Sequence, residues 1–170
     1  MRTLGAVAAF LAIAGCGYHV AGHSDVLPKT AKTICIPAFA NGTVQYTLTA
    51  RLADAIAREF IARTRYRIVS DPNAADLVLR GSVLNYFAGA TVIDPVTGRS
   101  TAVEMHVYLS LTLTDRVTGK VLYSRPSMDA RERYEVSENE QQYFDESGPA
   151  LDRLARSVAQ QVVSTVLNAF

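Results

Sequence analysis

Between residues 101 and 114 apolar and polar side chains alternate without a break. Val103, Met105, Val107, Leu109, Leu111 and Leu113 take one parity, and Glu104, His106, Tyr108, Ser110, Thr112 and Thr114 take the other. A period of two sustained this long is a β-strand with one face in a core and one polar face. Such a strand demands a neighbouring strand on each side and a second layer over its apolar face, so it dictates what the rest of the chain must supply. The neighbours are legible on either side. Residues 76–87 (DLVLRGSVLNYF) read as a strand, with Gly81 as a bulge or twist point. Residues 115–120 (DRVTGK) make a tight hairpin with Gly119 in the left-handed position. Residues 121–134 return as a strand in which Pro126 requires a bulge or an unpaired edge. Residues 89–100, with Asp94-Pro95 and Thr97-Gly98, read as a loop or a flexible hairpin tip.

The covering layer comes from two amphipathic stretches. Over residues 46–64, Leu48, Leu52, Ala55, Ile56 and Phe60 recur at spacings of three and four and form one apolar stripe. A second stripe of Leu151, Leu154, Ala155, Val158, Val162, Thr165 and Val166 marks a C-terminal helix. Ser137-Glu138-Asn139-Glu140 fits a capping box for its start, and Gly148-Pro149 is expected to kink or break it early. Short β-rich runs at 32–37 and 66–69 flank the first helix. The order strand, helix, four strands, helix gives an α+β fold: a two-layer sandwich of two amphipathic helices on a mainly antiparallel sheet of four to five strands.

Upstream of this domain the chain carries an address. Arg2 precedes an apolar run over residues 4–14, too short to span a bilayer, and Ile13-Ala14-Gly15-Cys16 follows. The pattern is a bacterial lipobox, in which cleavage leaves Cys16 as the first residue, carrying palmitate-type acyl chains. The chain thus divides into a signal peptide at 1–15, a lipidated cysteine and Gly/Pro-containing tether at 16–31, and an α+β domain at 32–170. One acyl chain binds a membrane only reversibly, and two or three make the anchor permanent. Gly17 after the cysteine favours the outer membrane under the enterobacterial sorting rule. With Cys16 lipidated, Cys35 is left as a structural thiol between Ile34 and Ile36.

Composition narrows the function classes. Seventeen Lys and Arg against sixteen Asp and Glu give a net charge of +1, which argues against a protein that neutralises nucleic-acid phosphates. Two cysteines exclude a disulfide-dense scaffold and a four-cysteine zinc site. No phosphate-binding glycine loop, nucleophile elbow, metalloprotease motif or cofactor fingerprint is present. His19 and His23 are four apart but lie in the tether without a third ligand, and His106 projects from a strand's polar face as a surface imidazole. Glu132 with Glu135 and Asp145 with Glu146 read as solvated carboxylates. The expectation is a chain with no catalytic residues, metal or cofactor. Tyr86, Tyr108, Tyr123 and Tyr134, with Arg99, Arg125, Arg131 and Arg133, mark either a contact surface or an ordinary solvated sheet face.

The sequence resembles one family over nearly its whole length. Cys16-Gly17-Tyr18-His19-Val20-Ala21-Gly22 after the lipobox, Leu27-Pro28, and the run from Lys32 to Pro37 carry the likeness. So do Asn41-Gly42-Thr43, Arg58-Glu59-Phe60, Leu77-Val78-Leu79-Arg80-Gly81, Arg131-Glu132-Arg133-Tyr134 and the final helix. The chain is similar in these to the LptE family of lipopolysaccharide-assembly lipoproteins. The resemblance implies a non-enzymatic, lipid-anchored protein on the periplasmic side of the outer membrane. It implies a plug that occupies and helps assemble the LptD β-barrel and binds lipopolysaccharide. Arg99, Arg131, Arg133 and Tyr134 are the candidate contacts to lipopolysaccharide or barrel. The sequence departs from the family's basic sheet-end loops, since residues 91–98 hold Asp94 and Pro95 with no base before Arg99, and 135–142 have acids and no Lys. A second reading stays open: an envelope lipoprotein that activates or scaffolds another periplasmic machine, such as a peptidoglycan synthase. A small lipid-anchored enzyme is third.

Overall fold

The alternating strand is the middle of a three-strand antiparallel ribbon, and the helices lie across its apolar face. The computed structural model describes residue 28, residues 30–136 and residues 146–168. In chain order the elements are β1 (Thr33–Cys35), β2 (Ala40–Asn41), α1 (Tyr46–Arg63), β3 (Arg67–Ile68), β4 (Leu77–Ile93), β5 (Ser100–Asp115), β6 (Val121–Glu135) and α2 (Ser147–Asn168). They form a six-stranded sheet in the order β3-β1-β4-β5-β6, with β2 also on β4. The sheet is mixed. The long pairings β4–β5 and β5–β6 are antiparallel, while the short pairings of β1 with β3, β1 with β4 and β2 with β4 are parallel. The α+β class is therefore as expected, with one strand more than the four to five anticipated. The extra strand, β2, is two residues long, too short to show a period.

The predicted loop at 89–100 is a further correction. β4 runs on to Ile93 and β5 begins at Ser100, so only residues 94–99 turn. This turn repeats the one at 115–120. In each, the leading Asp accepts hydrogen bonds from two backbone N–H groups through Oδ1: Val96 (2.6 Å) and Thr97 (2.9 Å) for Asp94, Val117 (2.9 Å) and Thr118 (3.0 Å) for Asp115. In each, a glycine at φ of +67° or +70° closes the turn, as only glycine does without strain. The two sequences, DPVTGR and DRVTGK, differ at two positions.

The core fills from both layers. Leu48, Leu52, Ile56 and Phe60 of α1 and Leu154, Val158, Val162 and Val166 of α2 meet Met105, Val107, Leu109, Leu111 and Leu113 of β5, all buried. Each such side chain contributes about 1.5–3 kcal/mol of burial. The two helices run parallel. Near their N-termini Arg51 donates to the Gly148 carbonyl (2.9 Å) and Asp152 (2.6 Å), and near their C-termini Arg63 donates to Ser164 Oγ (2.7 Å). Arg153 ties α2 to β6 through Glu132 (2.7 Å). Gly148-Pro149 does not break α2. Pro149 sits in the first turn, where its missing N–H has no helical partner to lose. The capping box at 137–140 lies outside the described residues.

Two contacts fix the start of the sheet. Asp76 Oδ2 accepts from the backbone N–H of Lys32 (2.7 Å) and Thr33 (2.9 Å) and from Thr33 Oγ1 (2.9 Å), which aligns β1 with the start of β4. These bonds hold the Asp76 carboxyl below its ordinary value. Cys35 is buried, its Sγ 3.5 Å from the Ser70 carbonyl, and burial raises its thiol, as befits an inert side chain. Gly81 faces the core, not a bulge. A Cβ there would lie 2.3 Å from the buried ring of Phe39.

Gly81→Ala should therefore cost about 1–3 kcal/mol of overpacking, seen as a lower urea midpoint at unchanged slope. An unchanged midpoint would mean that Phe39 yields freely. For Asp76, the lowered carboxyl contributes stability at neutral pH that is lost as pH falls and the carboxylate takes up its proton. Asp76→Asn should reduce stability at pH 7 by about 1 kcal/mol and flatten the acid limb of the stability profile. An acid limb as steep as that of the parent would place the linkage elsewhere.

Candidate functional site: the helix-free face of the sheet

Both helices cover the same side of the sheet, which leaves the other face of β4–β6 without a second layer among the described residues. What that face presents is set by one residue. Val83 pairs with Leu109 and Asn85 with Tyr108, so Leu84 is an extra residue on β4. The bulge inverts the strand's parity. Before it, Leu79, Gly81 and Val83 point to the helices. Beyond it, Asn85, Phe87 and Gly89 share rows with Tyr108, His106 and Glu104 on the open face. β6 continues the rows with Asp129, Arg131 and Arg133. β4 shifts again between Ala90 and Val92 and between Val92 and Ile93, and on β6 a shift spans Pro126, as its ring and missing N–H require.

These rows form a compact polar and aromatic patch. His106 Nε2 lies 2.8 Å from Glu104 Oε2. Arg131 donates through Nε (2.9 Å) and Nη2 (2.6 Å) to Asp129 Oδ2, which raises the guanidinium further above its ordinary value. The Phe87 ring stands 6.3 Å from the His106 ring at 55°, and leans over Gly89, where a Cβ would come within 2.7 Å of it. Arg133 is opposite Glu104 in register. Two guanidinium groups thus face two carboxylates, and an anion approaching Arg131 must compete with Asp129. Among the described residues no hydroxyl or thiol is hydrogen-bonded to His106, so the imidazole has a carboxylate partner but nothing to activate. No group of three His, Cys, Asp or Glu side chains among them is placed to hold a metal ion.

The residues singled out from sequence separate. Arg131 and Arg133 come together on the open face. Arg99 is in the 94–99 turn beyond the end of β6. Tyr134 pairs with Val103 and packs half-buried against the core, on the side opposite the arginines. Of the four tyrosines, Tyr86, Tyr123 and Tyr134 turn toward the core and Tyr108 stays on the open face. Glu132 is not a merely solvated carboxylate but the partner of Arg153. Phe87 escapes sequence reading because its face depends on the Leu84 bulge. Its one local signal is the Phe-x-Gly spacing that lets a ring cover a bare backbone. Cys16, His19, His23 and Asp145 lie outside the described residues. No described helix is long and apolar enough to cross a membrane.

The model of the LptE family, described as lipopolysaccharide-assembly, matches residues 31–166. The chain belongs to the LptE family. Its family is non-enzymatic and made of lipoproteins of lipopolysaccharide assembly. No curated protein matches the LptE-family chain by sequence. Among solved structures it is similar to uncharacterized lipoprotein B from Nitrosomonas europaea (TM-score 0.57, 11% identity, covering 81% of this chain and 83% of that one). It is also similar to rare lipoprotein B from Shewanella oneidensis (0.51, 14%, 81% and 96%) and to the PelC dodecamer from Paraburkholderia phytofirmans (0.52, 18%, 81% and 88%). At these identities the likeness is one of fold. The family is one of lipoproteins of the Gram-negative envelope.

Deleting Leu84 from this LptE-family chain would replace the bulge by regular alternation, with Asn85 still opposite Tyr108 and Tyr86 still opposite Val107. Inserting one alanine between Asn85 and Tyr86 would instead turn every later side chain of β4 to the other face. The deletion should keep a cooperative transition in urea, followed by circular dichroism, and the insertion should lose it; the reverse result would show that Leu84 is not the extra residue.

Proposed function

We propose that this chain is the lipid-anchored plug of an LptD-type outer-membrane β-barrel, that it helps the barrel assemble, and that it engages lipopolysaccharide at the hairpin end. The observation that carries the reading is the family match over residues 31–166. The geometry is compatible with it. A barrel lumen is polar, and the helix-free face offers Asn85, Tyr108, His106 and Arg131 to such a wall. In this reading Cys16 carries the acyl chains that hold the protein on the periplasmic side of the outer membrane, with 1–15 removed and 32–170 acting as one domain. Arg99, Arg131 and Arg133 meet glycolipid phosphates through charge-assisted hydrogen bonds. Tyr134, from its place on the helix side, acts by supporting the strand end that presents Arg133.

Affinity pull-down of the full chain from detergent-solubilised outer membranes tests the partner. Recovery of a large barrel in about one-to-one amount is expected for a plug that fills one lumen. Recovery of a peptidoglycan synthase instead would select the scaffold reading. The lipid site has its own test. Arg131→Ala with Arg133→Ala should weaken lipopolysaccharide binding, and Asp129→Asn, which releases Arg131 from its carboxylate, should strengthen it. Binding that ignores all three changes would remove the open-face arginines from the site.

A further inference from the structure

The sheet's two long edges are built differently. β6, at one border, carries Arg125, Asp129, Arg131, Glu132, Arg133 and Glu135, with Pro126 among them. Charges and proline are how proteins keep an edge strand from pairing with another chain. β4 borders the other side beyond the end of β2, whose last pairing is Asn41 with Val83. From Asn85 to Ile93 that side has no strand partner among the described residues. The segment 84–93, LNYFAGATVI, holds no charge and no proline in a chain that is 19% charged. It also gathers exposed apolar side chains, Leu84 at 47%, Phe87 at 61%, Val92 at 41% and Ile93 at 59%. A bare, uncharged, β-prone edge of this kind is an aggregation hazard unless a strand covers it.

We infer that the Asn85–Ile93 edge of β4 is completed by an extended, uncharged segment of the partner barrel, added as a strand next to β4 in line with β2. This rests on the plug reading and deepens it by naming where the partner attaches. Backbone hydrogen bonds supply the affinity, and the absence of charge over residues 84–93 selects a segment that brings none. A second copy of the chain fits less well. Nine paired residues extend about 30 Å at 3.3 Å each. Such a contact buries roughly 600 Å² in total, short of the about 1,200 Å² of a stable interface. A barrel that also surrounds the hairpin adds the missing area. A copy paired about Gly89 would drive its own 94–99 turn toward residues 40–44, the place of β2.

The test is backbone hydrogen exchange on the full chain, alone and in complex with its barrel. Amides of 85–93 should be protected at least tenfold more in the complex, while those of 129–135 on the β6 edge change little. Ala88→Lys with Val92→Lys, both at exposed positions, should leave the fold intact by circular dichroism and lower recovery of the barrel at least tenfold. If the complex forms and 85–93 exchange as fast as in the free chain, the strand addition is wrong and the plug reading stands. If no barrel is recovered, both fall. Protection of 85–93 already in the free chain overturns the inference as well. It assigns the edge to a second copy if light scattering gives a dimer, and to the chain's own N-terminal segment if it gives a monomer.

Discussion

Everything in this protein depends on keeping one face of β5 away from water while the other stays in contact with it. The five buried residues from Met105 to Leu113 hold α1 and α2 on one side, and because both helices are spent there, no described helix covers the other. A sheet of three long strands with one helical layer is thus half a sandwich. Its stability comes from the covered half. Its capacity for contact lies in the uncovered half and in the stretch of hairpin that runs past the helix ends.

The layer plan was legible in the sequence because its signals are periodic. Alternation placed β5, and the spacing of three and four placed α1 and the body of α2. What was not legible is what pairing decides across the sheet. Nothing in Val83-Leu84-Asn85 announces an extra residue. It exists because β4 and β5 must satisfy their apolar faces on both sides of that point. On β4 the open face inherits its composition from this register shift, so Phe87 and Asn85 cannot be assigned to it in advance, nor Tyr86 to the core; on β6 the pairing with β5 turns Tyr123 and Tyr134 to the core as well. Gly81 announced an irregularity but was silent on which. The answer, the ring of Phe39, is 42 residues away along the chain. The 89–100 stretch resembles a loop in sequence because Asp94 looks like any loop carboxylate until its twin at Asp115 is set beside it.

The candidate site was legible in kind and not in arrangement. Arg131 and Arg133 were marked by type, and an alternation of two puts them on one face whatever the fold. Their counter-charges come from a neighbouring strand and from two residues back, so the patch is nearly balanced in charge. That balance explains how an exposed sheet face can present guanidinium groups without becoming a general anion trap. A ligand with fixed, well-spaced phosphates displaces Asp129 more readily than a diffuse counter-ion does.

The parallel course of α1 and α2 gives the molecule an electrical polarity. Antiparallel helices cancel one another's backbone dipoles, and these add. Their amino ends lie together toward the long hairpin, since α1 starts after β2 and Arg153, in the second turn of α2, is bonded to Glu132. The first turn of α1 holds no acid to offset it, and at α2 the carboxylates of Glu146 and Asp152 are engaged by Arg153 and Arg51. The carboxyl ends point the opposite way, to the end of the sheet where the chain enters β1. Placed in an external field, whether from a charged surface or from a ring of side chains, the domain has a preferred heading before any contact is made, with the hairpin end turned toward negative potential.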